Sequence, residues 1–342
     1  MARNLLGLFD LIPIEPAAHT EKNPNLYSYK FFLCGLCVRC GKKNHSGPGM
    51  IEKGIAVIGS TTIDKIVHRN FSRFKIGGVT TYAGMTYSRH GIKTWVVTNV
   101  AKRDREIIKR LKQESIVVCN GLTEVTTYFR NLLDDDGEKR KQHILQQAAP
   151  INRSQIIEHL KDVAFVHLGP LHPLDIDLRA IELIGRLKHF VILDVQGFVR
   201  TVKNKIVYPA VSEHLPAAMR VSQIVKANRQ EYKAFIDFFR MDLLELMYQF
   251  NIDEFVVTSG HKGGFVQTIT GEEISYAATG VASNEDSTGA GDIFLAAYVI
   301  GRFLDQKSIA DACKYAAKLA ALQIEGNYIK PNHLCLEDRK QH

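Results

Sequence analysis

From Ile55 onward, short apolar runs rich in β-branched residues alternate with longer stretches in which apolar positions recur every three or four residues. The runs predict strands at Ile55–Ile58, Thr94–Val97, Ile116–Val118, Ala164–Leu168, Phe190–Val195, Gln223–Lys226 and Phe255–Thr258. The periodic stretches predict helices at Arg105–Gln113, Asp175–Leu187, Gln230–Phe239, Asp242–Phe250, Ala290–Phe303 and Ser308–Ile324. The last carries alanines at 310, 312, 316, 317, 320 and 321, small side chains that let a helix approach its neighbours closely. Strands and helices in alternation are the signature of βα units, so the expected fold is α/β, a central mostly parallel sheet with helices on both faces.

One region departs from this alternation. Thr126 to Leu133 and Glu138 to Leu145 mix polar and apolar residues on either side of Asp134-Asp135-Asp136-Gly137, and Asp136-Gly137 suits a tight turn that needs positive φ. This predicts a projecting hairpin. Together with Ile66–Ile76 it forms an expected small second sheet, a lid drawn from about 64–77 and 123–147.

Residues 1–49 show no sustained period and hold four of the ten prolines, so they are expected to be an N-terminal extension outside a folded domain at 50–335, with translation starting at Met50 as the simple account and 336–342 as a tail. Cys34, Cys37 and Cys40 within the extension have a spacing at which thiolates converge on zinc or an iron–sulfur cluster, with His45 as a fourth donor; the alternative is an unligated segment. No charged-then-apolar leader precedes the fold, so free thiols and a cytoplasmic location are expected. No run approaches the roughly 18 apolar residues of a membrane span. The net charge of +8 is spread thinly, and its densest cluster, Lys139-Arg140-Lys141, follows three aspartates, a pattern of a charged hairpin rather than of a nucleic-acid surface.

The chemistry concentrates in Asp286-Ser287-Thr288-Gly289-Ala290-Gly291-Asp292, just before a strong helix. The two glycines permit a tight turn with N–H groups facing outward, and the helix start adds donors and partial positive charge, a cradle for a phosphoryl group. A carboxylate at Asp292 is poorly placed to bind that anion and well placed to take a proton from an attacking hydroxyl. Read in isolation, it is equally an acid favoured in a first helical turn. Asn228 and Glu231 have the spacing of a capping box, and Asp64 that of a strand-end acid.

The 286–292 segment resembles the D-T-x-G-A-G-D signature of the ribokinase-like (PfkB) carbohydrate kinases. The resemblance extends in order from about Ile55 to Pro331 through Ile58-Gly59 and Asp64, Gly77-Gly78, Asn228-Arg-Gln-Glu231 and Thr258-Ser-Gly260-His-Lys-Gly263-Gly264. It implies a ribokinase-like three-layer sandwich and transfer of the γ-phosphoryl group of ATP to a hydroxyl of a sugar or polyol. Asp292 is then the general base, and the backbone of Gly289, Ala290 and Gly291 the anion hole. Asn228 and Glu231 correspond to a pair that organises Mg²⁺, Glu231 through water. Thr258, Gly260, Gly263 and Thr288 fall on the nucleotide side, and Asp64, Gly77, Gly78 and Tyr82 on the acceptor side, with Arg130 of the lid reaching the substrate or simply solvated. A monovalent cation is an optional activator, and a homodimer through paired lids is the expected assembly.

Two departures bear on the acceptor. Tyr82 stands where the family's first signature, G-G-x-x-x-N-x-A, places asparagine. Asp194-Val-Gln196-Gly-Phe-Val-Arg200 replaces the D-x-N-x-R pattern, as in members acting on inositol or unassigned sugars. His167 and His172 are further candidates for the pocket wall. A nucleoside kinase of the same family and a catalytically silent sugar-binding regulator are the alternatives. The chain contains no G-x-x-x-x-G-K-[ST] loop, and Gly59-Ser-Thr-Thr is not a dinucleotide-binding G-x-G-x-x-G.

Overall fold

A computed structural model describes residues 54–68, 71–133, 140–161, 163–282 and 287–336. The extension with Cys34, Cys37, Cys40 and His45, the Asp134–Gly137 turn, Asp286 and the end of the tail lie outside the described residues. The strands are β1 (Ile55–Ile58), β2 (Thr62–His68), β3 (Phe71–Gly77), β4 (Thr94–Thr98), β5 (Val117–Asn120), β6 (Tyr128–Leu133), β7 (Arg140–Gln146), β8 (Phe165–Leu168), β9 (Phe190–Asp194), β10 (Arg200–Lys203), β11 (Ile206–Pro209), β12 (Ile224–Asn228), β13 (Glu254–Thr258), β14 (Gly264–Thr268), β15 (Glu273–Tyr276) and β16 (Cys335–Leu336). The α-helices are α1 (Val79–Arg89), α2 (Arg105–Gln113), α3 (Arg153–His159), α4 (Leu178–Arg186), α5 (Leu215–Arg220), α6 (Arg229–Phe239), α7 (Leu243–Phe250), α8 (Ala290–Val299), α9 (Ile309–Ile324) and α10 (Pro331–Leu334).

The main sheet has the order β15-β14-β13-β12-β9-β8-β1-β4-β5. Its strands are parallel from β5 to β13, and the β14–β15 hairpin continues it antiparallel. Because side chains alternate across a strand, Ala56, Ile58, Val166, Leu168, Val191, Leu193, Val225 and Val257 face one layer, where they pack with apolar residues of α3 to α7. The intervening residues face α1, α8 and α9; there Tyr87 of α1 meets His167 of β8. Nearly continuous apolar strands follow from burial on both faces, which is why the strand runs were easy to read.

The second sheet, β10-β11-β7-β6-β2-β3-β16, is larger than the predicted lid. The 200–209 hairpin extends one edge and Cys335–Leu336 the other, pairing with Phe74 and Lys75. One face, with Ile63, Phe74 and Ile76, packs on Val100 and Ile107. The helix expected from Asp175 starts at Leu178, because Asp177 caps it through Arg179 N at 2.7 Å and Asp175 is engaged elsewhere. The helix expected to reach Phe303 is α-helical to Val299 and widens into a π turn over Ile300–Leu304. Among the described residues no helix is long and apolar enough to cross a membrane.

Candidate active site

Asp194 at the end of β9 and Lys226 of β12 lie beside the start of α8, and ligands of open α/β sheets bind at the carboxyl ends of such strands. Gly289 caps α8 with φ of 82°, a left-handed conformation that favours glycine. Ala290 N–H is engaged by Ser287 O at 3.3 Å, while Ile293 N–H begins the helical ladder on Gly289 O. The first-turn N–H groups of Gly291 and Asp292 therefore have no carbonyl to bind within the helix and supply the donors of the cradle. Ala290 contributes position rather than a free N–H.

Asp292 is half-buried in this first turn, in contact with solvent but surrounded by protein. Burial, with help from Asp194 and Glu231, raises its pKa to about 7 against the opposing pull of Lys226 and Arg200. Lys226, in the middle of β12, donates from Nζ to Asp194 Oδ2 at 2.7 Å, both side chains being buried. A Cβ on Gly291 would stand 3.3 Å from that Nζ, so the ammonium lies directly under the turn. Burial alone would lower the Lys226 pKa; attraction to Asp194, Glu231 and Asp292 overrides it, and the lysine stays charged. Sequence reading missed Lys226, since nothing within β12 distinguishes it from a strand residue.

Asn228 and Glu231 form a capping box at α6: Asn228 Oδ1 accepts from Gln230 N and Glu231 N, both at 2.9 Å, and Glu231 Oε2 accepts from Asn228 N at 2.8 Å. Burial raises the Glu231 pKa. Thr258 lies beside Asn228 in the β12–β13 register, and together they border a cavity of about 750 Å³ whose walls include Arg229, Ser259, Gly260, Lys262, Gly264, Phe265, Ser275 and Tyr276. Gly263, with φ of 78°, turns the chain so tightly that a Cβ would collide with Tyr276 O. Tyr276 stacks on Phe294 at 5.1 Å and so fastens the β14–β15 hairpin to α8.

On the lid side, Asp64 is inside β2 rather than at a strand end, buried and opposite Lys75 of β3. Its Oδ1 accepts from Thr62 Oγ1 at 2.7 Å, and its other oxygen occupies the space a Cβ on Gly77 would need. Gly78, with φ of 92°, similarly passes against Ser60 O. These glycines thus allow close approach to Asp64 and to the backbone.

The remaining candidates are placed as follows. Arg130 pairs in register with Lys65, so alternation puts it on the sheet face opposite Asp64, and it is exposed, in line with the solvated alternative. Tyr82 is 1% exposed, with its ring against Gly289, so it supports the turn instead of facing an acceptor. His167 and His172 are buried pieces of the framework: Tyr87 bonds His167 Nδ1 at 3.0 Å and burial lowers the His167 pKa to about 4, whereas His172 pairs with Asp175 at 2.6 Å. Arg200 replaces Arg130 as the nearby guanidinium. It bonds Gln142 Oε1 of the lid at 3.2 Å, and its charge is felt by both Asp292 and Glu231.

Among the described residues no cluster of three or more His, Cys, Asp or Glu side chains forms a metal cage. One buried carboxylate beside a phosphate-sized cradle nevertheless fits Mg²⁺, which keeps most of its waters and takes the remaining ligands from phosphates. Glu231 is the residue that would hold the ion, through water.

No curated protein matches the chain. The model of the pfkB family carbohydrate kinases matches residues 54–329. A pyrophosphate-dependent kinase of the ribokinase family, solved as a sulfate complex, is 23% identical, with a TM-score of 0.70 over 79% of this chain and 95% of that one. Ribokinase from Thermotoga maritima is 19% identical, with a TM-score of 0.63 over 80% and 93% of the two chains. A Methanocaldococcus jannaschii nucleoside kinase is 17% identical, with a TM-score of 0.64 over 82% and 94%. The glycine turn, the strand order and this match agree: the chain belongs to the pfkB family of carbohydrate kinases.

Proposed function

We propose that this kinase transfers the γ-phosphoryl group of ATP to a hydroxyl of a sugar or polyol, with Asp292 as the general base. The observation that carries the reading is the juxtaposition of Asp292, the free N–H groups of the first α8 turn and the ammonium of Lys226. In the reaction, Asp292 takes the proton of the acceptor hydroxyl as its oxygen bonds to the γ-phosphorus. The bond from phosphorus to the bridging oxygen breaks, and ADP leaves with that electron pair. The first-turn N–H groups and Lys226 offset the charge on the transferred group, and such positioning and neutralisation make up most of what phosphoryl transfer requires. A carboxylate with a pKa near 7 is matched to a base working near neutrality. Mg²⁺, organised by Asn228 and Glu231, would supply further neutralisation of the donor phosphates.

The cavity of about 750 Å³ lies within the range of sites that hold whole nucleotide-sized ligands, which favours ATP over pyrophosphate. Thr258 and Gly260 line that donor site, Gly263 turns the chain beside it, and Thr288 leads into the cradle. Asp64, able to accept bonds from adjacent hydroxyls, takes the acceptor. A polyol acceptor has support from a related fold, a pyrophosphate-dependent kinase of the ribokinase family complexed with myo-inositol. The lid closes over the acceptor to exclude water. It also pairs two copies into a homodimer, and the enzyme works in the cytoplasm.

The reading is tested with Asp292→Asn. Acceptor-dependent ADP release should fall at least 100-fold while ATP binding by calorimetry stays within threefold. Turnover equal to wild type would remove Asp292 from the mechanism.

A further inference from the structure

The tyrosine that replaces the family's asparagine points to a connection between the lid and the phosphoryl cradle. A Cβ built on Gly289 would collide with Cγ, Cδ1 and Cε1 of Tyr82, so the ring lies flat against the residue that starts α8. Lys75 Nζ stands over the same ring, 5.9 Å from its centroid, at the outer limit of roughly 6 Å for a cation over a π face. Lys75 is the cross-strand partner of Asp64 in the lid ladder, and Asp64 abuts Gly77 just before the helix that carries Tyr82. All of these side chains are buried.

We propose that Tyr82 is a positioning residue whose ring, packed on the Gly289 turn and overlain by Lys75 of the lid, sets the cradle in register with the acceptor carboxylate Asp64. The proposal rests on the kinase reading above. Its physical basis is that close-packed interiors transmit displacement and that misplacing reacting groups by about 1 Å can lower a rate about 100-fold. An asparagine at 82 would leave a void beside Gly289 and offer no face to Lys75. The contact with Gly289 uses the ring alone, so phenylalanine should replace tyrosine.

The test uses the full chain with ATP, Mg²⁺ and a panel of sugars, polyols and nucleosides. Tyr82→Phe should keep kcat within threefold of wild type. Tyr82→Leu should lower kcat about 30-fold or more with the KM for ATP within threefold, a split that simple loss of folded protein would not produce. A double-mutant cycle with Gly289→Ala adds an independent readout. With the ring present, a Cβ at 289 meets both the collision and the positive φ; in Tyr82→Leu only the φ strain remains. The double variant should therefore exceed the activity expected from multiplying the two single losses by about tenfold. If Tyr82→Leu does not melt cooperatively, Lys75→Met serves instead, with kcat reduced about fivefold or more and the ATP KM unchanged. Multiplicative losses in the cycle, wild-type kcat in Tyr82→Leu, or wild-type kcat in Lys75→Met would each overturn the proposal. Turnover that is present in wild type, absent in Asp292→Asn and untouched by Tyr82→Leu would remove the coupling alone. Absence of acceptor-dependent turnover in wild type would overturn the coupling together with the kinase reading.

Discussion

Asp292→Asn should make the enzyme less active and should gain stability relative to wild type as the pH rises. In the folded chain the Asp292 pKa lies at about 7 against an ordinary value of 3.8. The native state therefore holds this proton more tightly than the unfolded chain does. Stability from this group is fully present below about pH 4, declines as pH rises through the window and is lost above about pH 7. A difference of about three pH units at about 1.4 kcal/mol each gives an upper bound near 4 kcal/mol of opposition to folding at pH 8. Solvent contact at Asp292 reduces this to about 2 kcal/mol. Asparagine removes the charge and adds a pH-independent loss of about 1–3 kcal/mol if its amide lacks partners. The informative quantity is thus the change with pH. At pH 5 only about a third of the titration window has been crossed, so the stability of the variant relative to wild type should be about 1–2 kcal/mol more favourable at pH 8 than at pH 5. Urea unfolding of both proteins at the two pH values measures this directly. A relative stability independent of pH, or shifting the other way, would refute the reasoning about the environment of Asp292.

Other consequences follow from the same geometry. The acidic limb of kcat/KM should rise through about pH 7, where Asp292 of the free enzyme loses its proton; a limb near pH 4 in that profile would show an unperturbed base. Lys226→Met removes a cation that lowers the Asp292 pKa, so this limb should move to higher pH. The same change leaves buried Asp194 unpaired and should destabilise the fold by about 3–5 kcal/mol in denaturant titration. Arg130→Ala, on the far face of the lid, should keep kcat and acceptor KM within twofold in steady-state assays; a tenfold loss would contradict its placement. Gly263→Ala forces a side chain into positive φ and onto Tyr276 O, and should raise the KM for ATP about tenfold or more with a small change in kcat.

What was legible in the sequence was local. The βα alternation could be read because the central strands β1, β4, β8, β9, β12 and β13 are buried on both faces, and the glycine turn because it resides in four consecutive residues, Gly289 to Asp292. The Asn228–Glu231 capping box is present as such, and its Asn228 also borders the cavity beside β13, so a capping role does not exclude the proposed one. What was not legible depends on pairs distant in the chain. Lys226 acquires meaning only beside Asp194, 32 residues away on a neighbouring strand. Arg130 was left between two readings because strand parity decides its face and depends on a register with β2 that no local pattern specifies. Tyr82 could be seen as a departure, but its contact with Gly289 arises from the packing of α1 against α8. The 200–209 hairpin was missed because its strands are four residues each and too mixed in polarity to declare a period.

The central claim is tested most directly by identifying the product. Wild-type enzyme with Mg²⁺ and either ATP or pyrophosphate would be offered sugars, inositols, other polyols and nucleosides, and the products examined by ³¹P NMR. A new phosphomonoester formed from a sugar or polyol with ATP, and not formed by Asp292→Asn, is the predicted result. Donor and acceptor binding without any phosphomonoester from any pair would contradict the account and leave a sugar-binding protein built on a kinase fold.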